Sequence, residues 1–219
     1  MPFRLSYRQL CASVLILLGL SSIAVAETLP IGQFSAGELD GWEEKSFVGN
    51  TRYQIADTPQ GKALHAHARK SASGMFKKVR IDLTRTPWLH WSWRVDEVFS
   101  GNDERSKAGD DYPARVYVVV DGGMFFWRTR AVNYVWSSNQ PLGTSWPNAF
   151  TGNAMMVAVR SGRADTGRWV RERRNVREDL KRLFGEDIDR IDAVAVMTDS
   201  DNTGGEADAF YGDIYFASD

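Results

Sequence analysis

Cysteine is almost missing from this chain of 219 residues: the only one is Cys11, close to the start. Without further thiols there is no disulfide framework, no cysteine nucleophile and no cysteine-ligated zinc. Histidine is nearly as scarce, with His65, His67 and His90 as the full set. His65 and His67 share a strand face by spacing, but a catalytic zinc ordinarily takes three protein ligands, so a polar strand face is the default reading of the pair. A G-x-S-x-G elbow, a phosphate loop and a dinucleotide fingerprint are all absent. So is any repeat or low-complexity linker. Charge is close to balance, with 27 basic residues against 28 acidic ones, which leaves no bulk electrostatic case for nucleic acid or an anionic membrane.

Long apolar runs are also lacking, apart from one at the start. Arg4 and Arg8, the apolar residues 10–20 and then Ala24-Val25-Ala26 reproduce the charged, apolar and small-residue regions of a secretory signal peptide. The run is short for a bilayer span, which needs ~20 residues. Cleavage after residue 26 is therefore expected, giving a periplasmic or secreted protein with no stable membrane span. Residues 27–219 are expected to form a single domain. Removing Arg4 and Arg8 leaves 25 basic residues against 28 acidic ones, a formal charge of −3, and keeps all eight tryptophans.

Short apolar or alternating runs recur at residues 62–68, 75–83, 88–95, 114–120, 130–136, 153–159, 193–198 and 210–216. Turn residues such as Pro59-Gln60-Gly61, Asp121-Gly122-Gly123 and Gly204-Gly205 separate them. This pattern predicts an all-β fold, an antiparallel β-sandwich of jelly-roll type. One short peripheral helix is expected where Val176, Leu180, Leu183 and Phe184 form an apolar stripe. Asn175 with Glu178 has capping-box spacing, and Gly185 can close the helix in the left-handed conformation. The preceding Arg171, Arg173 and Arg174 read either as a solvated approach to the helix or as a clamp for a phosphate or uronate.

The most unusual stretch is Asp110-Asp111-Tyr112-Pro113-Ala114-Arg115-Val116-Tyr117, which places two carboxylates and a guanidinium at the mouth of an apolar strand. Pro113 moves both Asp into the preceding loop. The triplet reads as an ion pair, a ligand or ion site, or an acid–base pair, with pairing the default because buried unpaired charge is costly. Tyr117, Asn133, Tyr134 and Trp136 on neighbouring strands add flat rings and an amide, a combination suited to stacking and hydrogen-bonding a sugar. Trp91 and Trp93 share one face and are expected in the core. Asp199-Ser200-Asp201-Asn202-Thr203-Gly204 begins like a calcium loop, but Phe210 stands where the closing Glu belongs. A sandwich loop could still bind a structural calcium through Asp199, Asp201 and Asp213. No other cofactor is indicated.

Several blocks together resemble the bacterial secreted domain-of-unknown-function family numbered 3047. These are Ser71-Ala72-Ser73-Gly74, Trp91-Ser92-Trp93-Arg94-Val95, the stretch from Gly109 to Tyr117, Tyr134-Val135-Trp136, Arg174-Asn175-Val176-Arg177-Glu178-Asp179, Phe184-Gly185, Thr198-Asp199-Ser200-Asp201-Asn202-Thr203 and Tyr211-Gly212-Asp213-Ile214. The resemblance spans nearly all of residues 27–219 and implies no established activity. Phe34 and Gly41-Trp42 near the start, with Tyr211-Gly212-Asp213-Ile214-Tyr215-Phe216 at the end, are similar to the first and last strands of galactose-binding-type jelly rolls, which include carbohydrate-binding modules. There the last strand commonly reads Asp-Asp-Ile near a structural calcium, whereas Gly212 stands at the first Asp here. The expectation is a non-catalytic binding domain for a cell-envelope glycan or similar polar ligand, held by Asp110, Asp111, Arg115, Tyr117, Asn133, Tyr134 and Trp136. The alternatives are a polysaccharide hydrolase or lyase using Asp110 or Asp111, and a structural partner in an envelope complex. Oligomeric state is left open.

Overall fold

The computed structural model describes residues 27–124 and 128–219; the expected signal segment lies outside them. Alternation of apolar and polar residues generates most of the fold. Among the described residues the strands are β1 (Thr28–Gly32), β2 (Trp42–Val48), β3 (Arg52–Thr58), β4 (Gly61–Arg69), β5 (Ala72–Asp82), β6 (Trp88–Val95), β7 (Ala114–Val120), β8 (Arg130–Ser137), β9 (Ser145–Asn148), β10 (Thr151–Ser161), β11 (Val170–Asn175), β12 (Arg190–Asp199), β13 (Glu206–Tyr211) and β14 (Ile214–Ala217). The helix α1 spans Val176–Phe184.

The strands form two seven-stranded sheets. In the first, the order is β1-β14-β6-β13-β4-β3, and β11 lies along the other edge of β6. In the second, it is β2-β5-β12-β7-β8-β10-β9. Pairing is antiparallel except where β10 runs parallel to β8. The chain leaving β8 makes β9 first and then turns back, so that β9 pairs antiparallel on the outside of β10. The run 210–216, expected as one strand, is two, interrupted at Gly212-Asp213. Both flank β6, and the Gly212 N–H donates to the Ser92 carbonyl across the gap.

The inner faces meet in one core. Along β6, Leu89, Trp91, Trp93 and Val95 point inward and alternate with the outward His90, Ser92 and Arg94. Trp91 meets Trp93 edge-on at 5.4 Å and lies 5.5 Å from Tyr134, while Trp93 lies 5.9 Å from Trp136. Each large apolar side chain taken from water contributes about 1.5–3 kcal/mol, so this inter-sheet aromatic stack is a main source of cohesion. Helix α1 closes one side with Val176 and Leu180 in the same core. Asn175 Oδ1 accepts from the Glu178 N–H at 3.1 Å, and Gly185 has φ 73°, as the cap residues predict. No helix among the described residues is long and apolar enough to cross a membrane.

Candidate functional site

Strand register divides the residues expected to form one site. Tyr117 pairs with Asn133, and Val116 pairs with Tyr134, so Arg115, Tyr117 and Asn133 share the outer face of the second sheet. Tyr134 and Trp136 are on the other face, completely buried between the sheets. They offer no surface to a ligand: Tyr134 donates to Asp179 and Trp136 to the Gly162 carbonyl. Placing them with Arg115 is therefore corrected by a period-two argument, since neighbours one residue apart point to opposite faces.

At the mouth of β7 the charges close on one another. Arg115 is buried, and its guanidinium grips Asp199 through Nε at 3.0 Å and through Nη2. The Tyr112 N–H donates to the same carboxylate, and the Tyr112 ring packs against the guanidinium at 4.6 Å. Asp110 is only at the edge of ion-pair range, 4.0 Å from Arg115, and accepts instead from the Asn148 amide at 2.9 and 3.1 Å. Burial therefore pushes the Asp110 carboxyl up, against the pull of Arg115. Asp111 accepts backbone N–H groups from Asn202 and Thr203, one on each oxygen, at 3.2 and 2.5 Å. Tyr117, also buried, donates to the Met197 sulfur at 2.9 Å. Glu104 belongs to the same neighbourhood: its carboxylate takes the Ser137 hydroxyl and the Ser138 N–H, and its carbonyl takes the Tyr112 hydroxyl.

Oxygens of Asp111, Asp199 and Asp201 lie within 4.8 Å of one another. Asp213, expected with them, is not in that group; it sits at the β13–β14 break and accepts from the N–H and hydroxyl of Ser35 at 2.8 and 2.6 Å. Calcium needs 6–8 oxygen ligands, whereas here Asp199 is spent on Arg115 and Asp111 on two backbone donors. The Arg115 guanidinium thus supplies positive charge beside this group.

A separate concavity lies on the first sheet. A groove of about 690 Å³ opens between the β3–β4 turn (Thr58, Gln60, Lys62), the outward residues His90 and Ser92 of β6, Arg171 and Glu172 of β11, and Trp169, Asp213 and Tyr215. Its floor exists because residue 212 is glycine. A Cβ there would come within 2.2 Å of the Ser92 hydroxyl and 3.4 Å of the Trp169 ring. One wall is a ring stack, with His90 and Tyr215 parallel at 4.7 Å and an interplanar angle of 7°. Burial holds the His90 imidazole below its usual value, and Arg173 pushes the same way. Glu172 is pushed up by burial despite its contact with Arg160 at 2.6 Å.

Polar groups in this groove are left unsatisfied. Trp91 Nε1, Trp169 Nε1 and His90 Nε2 are buried without a hydrogen-bond partner among the described residues, and all three residues border the groove, Trp91 from the inner face of β6. Such groups are rare and costly in proteins, at about 1–3 kcal/mol each. Of the three arginines before α1, Arg171 reaches the groove, Arg173 lies over Trp88 at 3.8 Å, and Arg174 pairs with Asp179 at 2.6 Å. Sequence reasoning singled out His90, Trp91, Arg171 and Asp213 for other reasons and passed over Lys62, Trp169 and Tyr215. The one available signal was Gly212, a strand residue without a side chain.

Fold and cleft together define a β-sandwich domain with a polar, ring-lined groove on one sheet. The chain belongs to the family described as protein of unknown function DUF3047, whose model matches residues 40–215. Comparison with the curated proteins finds no match in sequence. Solved structures with similar shape include the family 11 carbohydrate-binding module from Clostridium thermocellum in complex with a β-1,3-1,4-mixed-linked tetrasaccharide, at 11% identity, 88% of this chain, 96% of that one and a TM-score of 0.45. A family 29 carbohydrate-binding module complexed with mannohexaose matches at 8% identity over 89% and 93% of the two chains, with a TM-score of 0.44. The K2 cleaved adhesin domain of Lys-gingipain matches at 10% identity over 87% and 99%, with a TM-score of 0.41. Likenesses this distant transfer no ligand to this chain.

Proposed function

We propose that this protein is an exported, non-catalytic binding domain that holds a glycan or glycan-like polar ligand in the groove between the β3–β4 turn and β11. The observation that carries this reading is one cavity lined by Trp169 and the His90–Tyr215 stack, with ring nitrogens of Trp169 and His90 that have no hydrogen-bond partner among the described residues. A sugar offers hydroxyl and ring oxygens to such nitrogens and an apolar face to such rings, which is the mixture of flat and polar contacts a small-molecule site uses. Asp110 and Asp111, the carboxylates first considered for acid–base work, are engaged by Asn148 and by backbone N–H groups. That engagement supports binding over hydrolysis.

Trp169→Ala tests the proposal. The ring is partly exposed, so the fold should keep its thermal midpoint within a few degrees, while affinity for a saccharide identified by array screening falls about tenfold or more, the scale of one lost aromatic contact plus one lost donor. Saccharide binding that is unchanged by the substitution would remove the groove from the reading.

A further inference from the structure

Charges around the groove are unevenly satisfied. Glu172 is held by Arg160 at 2.6 Å and also accepts from Trp93 Nε1 at 3.3 Å. Asp213 has both oxygens on Ser35. Lys62 and Arg171, by contrast, are exposed on the walls with no hydrogen bond or ion pair among the described residues. They stand on opposite sides, Lys62 at the β3–β4 turn and Arg171 on β11, with β6 and the β13–β14 break between them. The indole N–H of Trp169 adds a donor that can never accept. The two cations on the walls are thus unpaired, and the one carboxylate of the lining not neutralised by a cation is Asp213.

We infer that the groove takes an acidic saccharide, a sugar bearing a carboxylate, with Arg171 as the principal partner of that carboxylate and Lys62 as the opposing charge. This rests on the groove being the binding site. A neutral sugar would supply an oxygen to the Trp169 indole but leave both cations unanswered, whereas a uronate supplies the ring face, the hydroxyl oxygens and the negative charge together. The planar guanidinium fork matches a carboxylate in two parallel hydrogen bonds, and the ammonium acts as a point charge. Asp213 remains to accept from a ring hydroxyl and sets the orientation. Ring contacts with Trp169 and Tyr215 fix the plane of the sugar, so that the charge is read at a defined edge.

The test is calorimetric titration at low ionic strength with oligomers of galacturonate and of alginate, each beside its carboxyl-reduced, neutral counterpart. Acidic forms should bind at least about tenfold more tightly than the reduced ones, since hydrogen bonds to a charged group are worth about twice neutral ones. In Arg171→Gln/Lys62→Gln that preference should shrink to about twofold or less, with the thermal midpoint unchanged because both side chains are exposed. Added salt should narrow the preference in the native protein. Reduced oligomers that bind as tightly as the acids would overturn the acidic ligand and leave the groove intact. An acidic preference that survives the double substitution would overturn the roles of Arg171 and Lys62. If neither acidic nor reduced forms bind, the acidic ligand falls, and the groove is judged separately by Trp169→Ala against the saccharide identified by array screening.

Discussion

The mouth of β7 and the groove on the opposite sheet both hold aspartate, arginine and tyrosine, but their cations are in opposite states. At the mouth, Arg115 is answered by Asp199, Asp110 by Asn148, and Asp111 by two backbone N–H groups. In the groove, the Trp169 indole N–H and the cations Lys62 and Arg171 are answered by nothing in the described chain. Buried polar groups are normally satisfied because leaving them bare costs as much as the fold can spare. A cluster that is closed thus reports on stability. One that is open reports on something outside the chain. Charge density alone, which draws the eye to the first region, does not separate the two.

The sharpest way to break this contrast is at Arg115. Arg115→Met leaves Asp199 buried without its counter-charge and should destabilise the protein by about 3–5 kcal/mol in urea unfolding, while ligand affinity of the folded fraction stays as it was. A loss below about 1 kcal/mol would mean that the mouth is solvated and open, and the contrast would fail. Gly212→Ala probes the other side with a smaller effect. The added methyl must displace the Ser92 hydroxyl and comes into contact with the Trp169 ring, an overpacking that costs about 1–3 kcal/mol. It should also abolish binding in the groove, read by titration against the same saccharide. Native affinity in that variant would show that the floor at residue 212 is irrelevant to the ligand.

Much of the sandwich was legible because alternation is a local signal. The runs 88–95 and 114–120 are β6 and β7 to the residue, and the helix caps fall where Asn175 and Gly185 put them. Strands β1, β2, β3, β9 and β11 fall outside the predicted runs; all but β1 and β9 are long enough to show a pattern, and strands such as Trp42–Val48 and Val170–Asn175 carry charge where an edge faces water. Part of the ion-paired mouth was visible: Arg115 was expected to find an internal partner. The partner it finds first, Asp199, is 84 residues away and is set by the pairing of β12 with β7, which no spacing reveals. The groove is assembled from segments scattered between Ser35 and Tyr215. Only the sheet order brings them together, and an unsatisfied nitrogen has no sequence signature at all.

The smallest expected effect tests whether the closed region is closed at a cost. Burial, against the hydrogen bonds from Ser137 and Ser138, holds the Glu104 carboxyl above the usual carboxylate range. An acid whose folded pKa is raised binds its proton more tightly when folded. Its stabilising contribution is therefore complete below the unfolded value of about 4.3 and is lost as pH rises through the folded value. In Glu104→Gln the amide oxygen can accept from the Ser138 N–H and the Ser137 hydroxyl can turn to accept from the amide, so the contacts survive without the charge. Stability of the native protein relative to this variant should fall as pH rises above about 4.3, measured as the difference between two urea midpoints at each pH. Asp82 and Asp187, both held low at the surface by hydrogen bonds from Thr84 and Arg177, slope the opposite way but cancel in that difference. A flat or rising difference would show that Ser137 and Ser138 hold the carboxylate charged at no cost, and that even the deepest charge of the mouth is fully compensated.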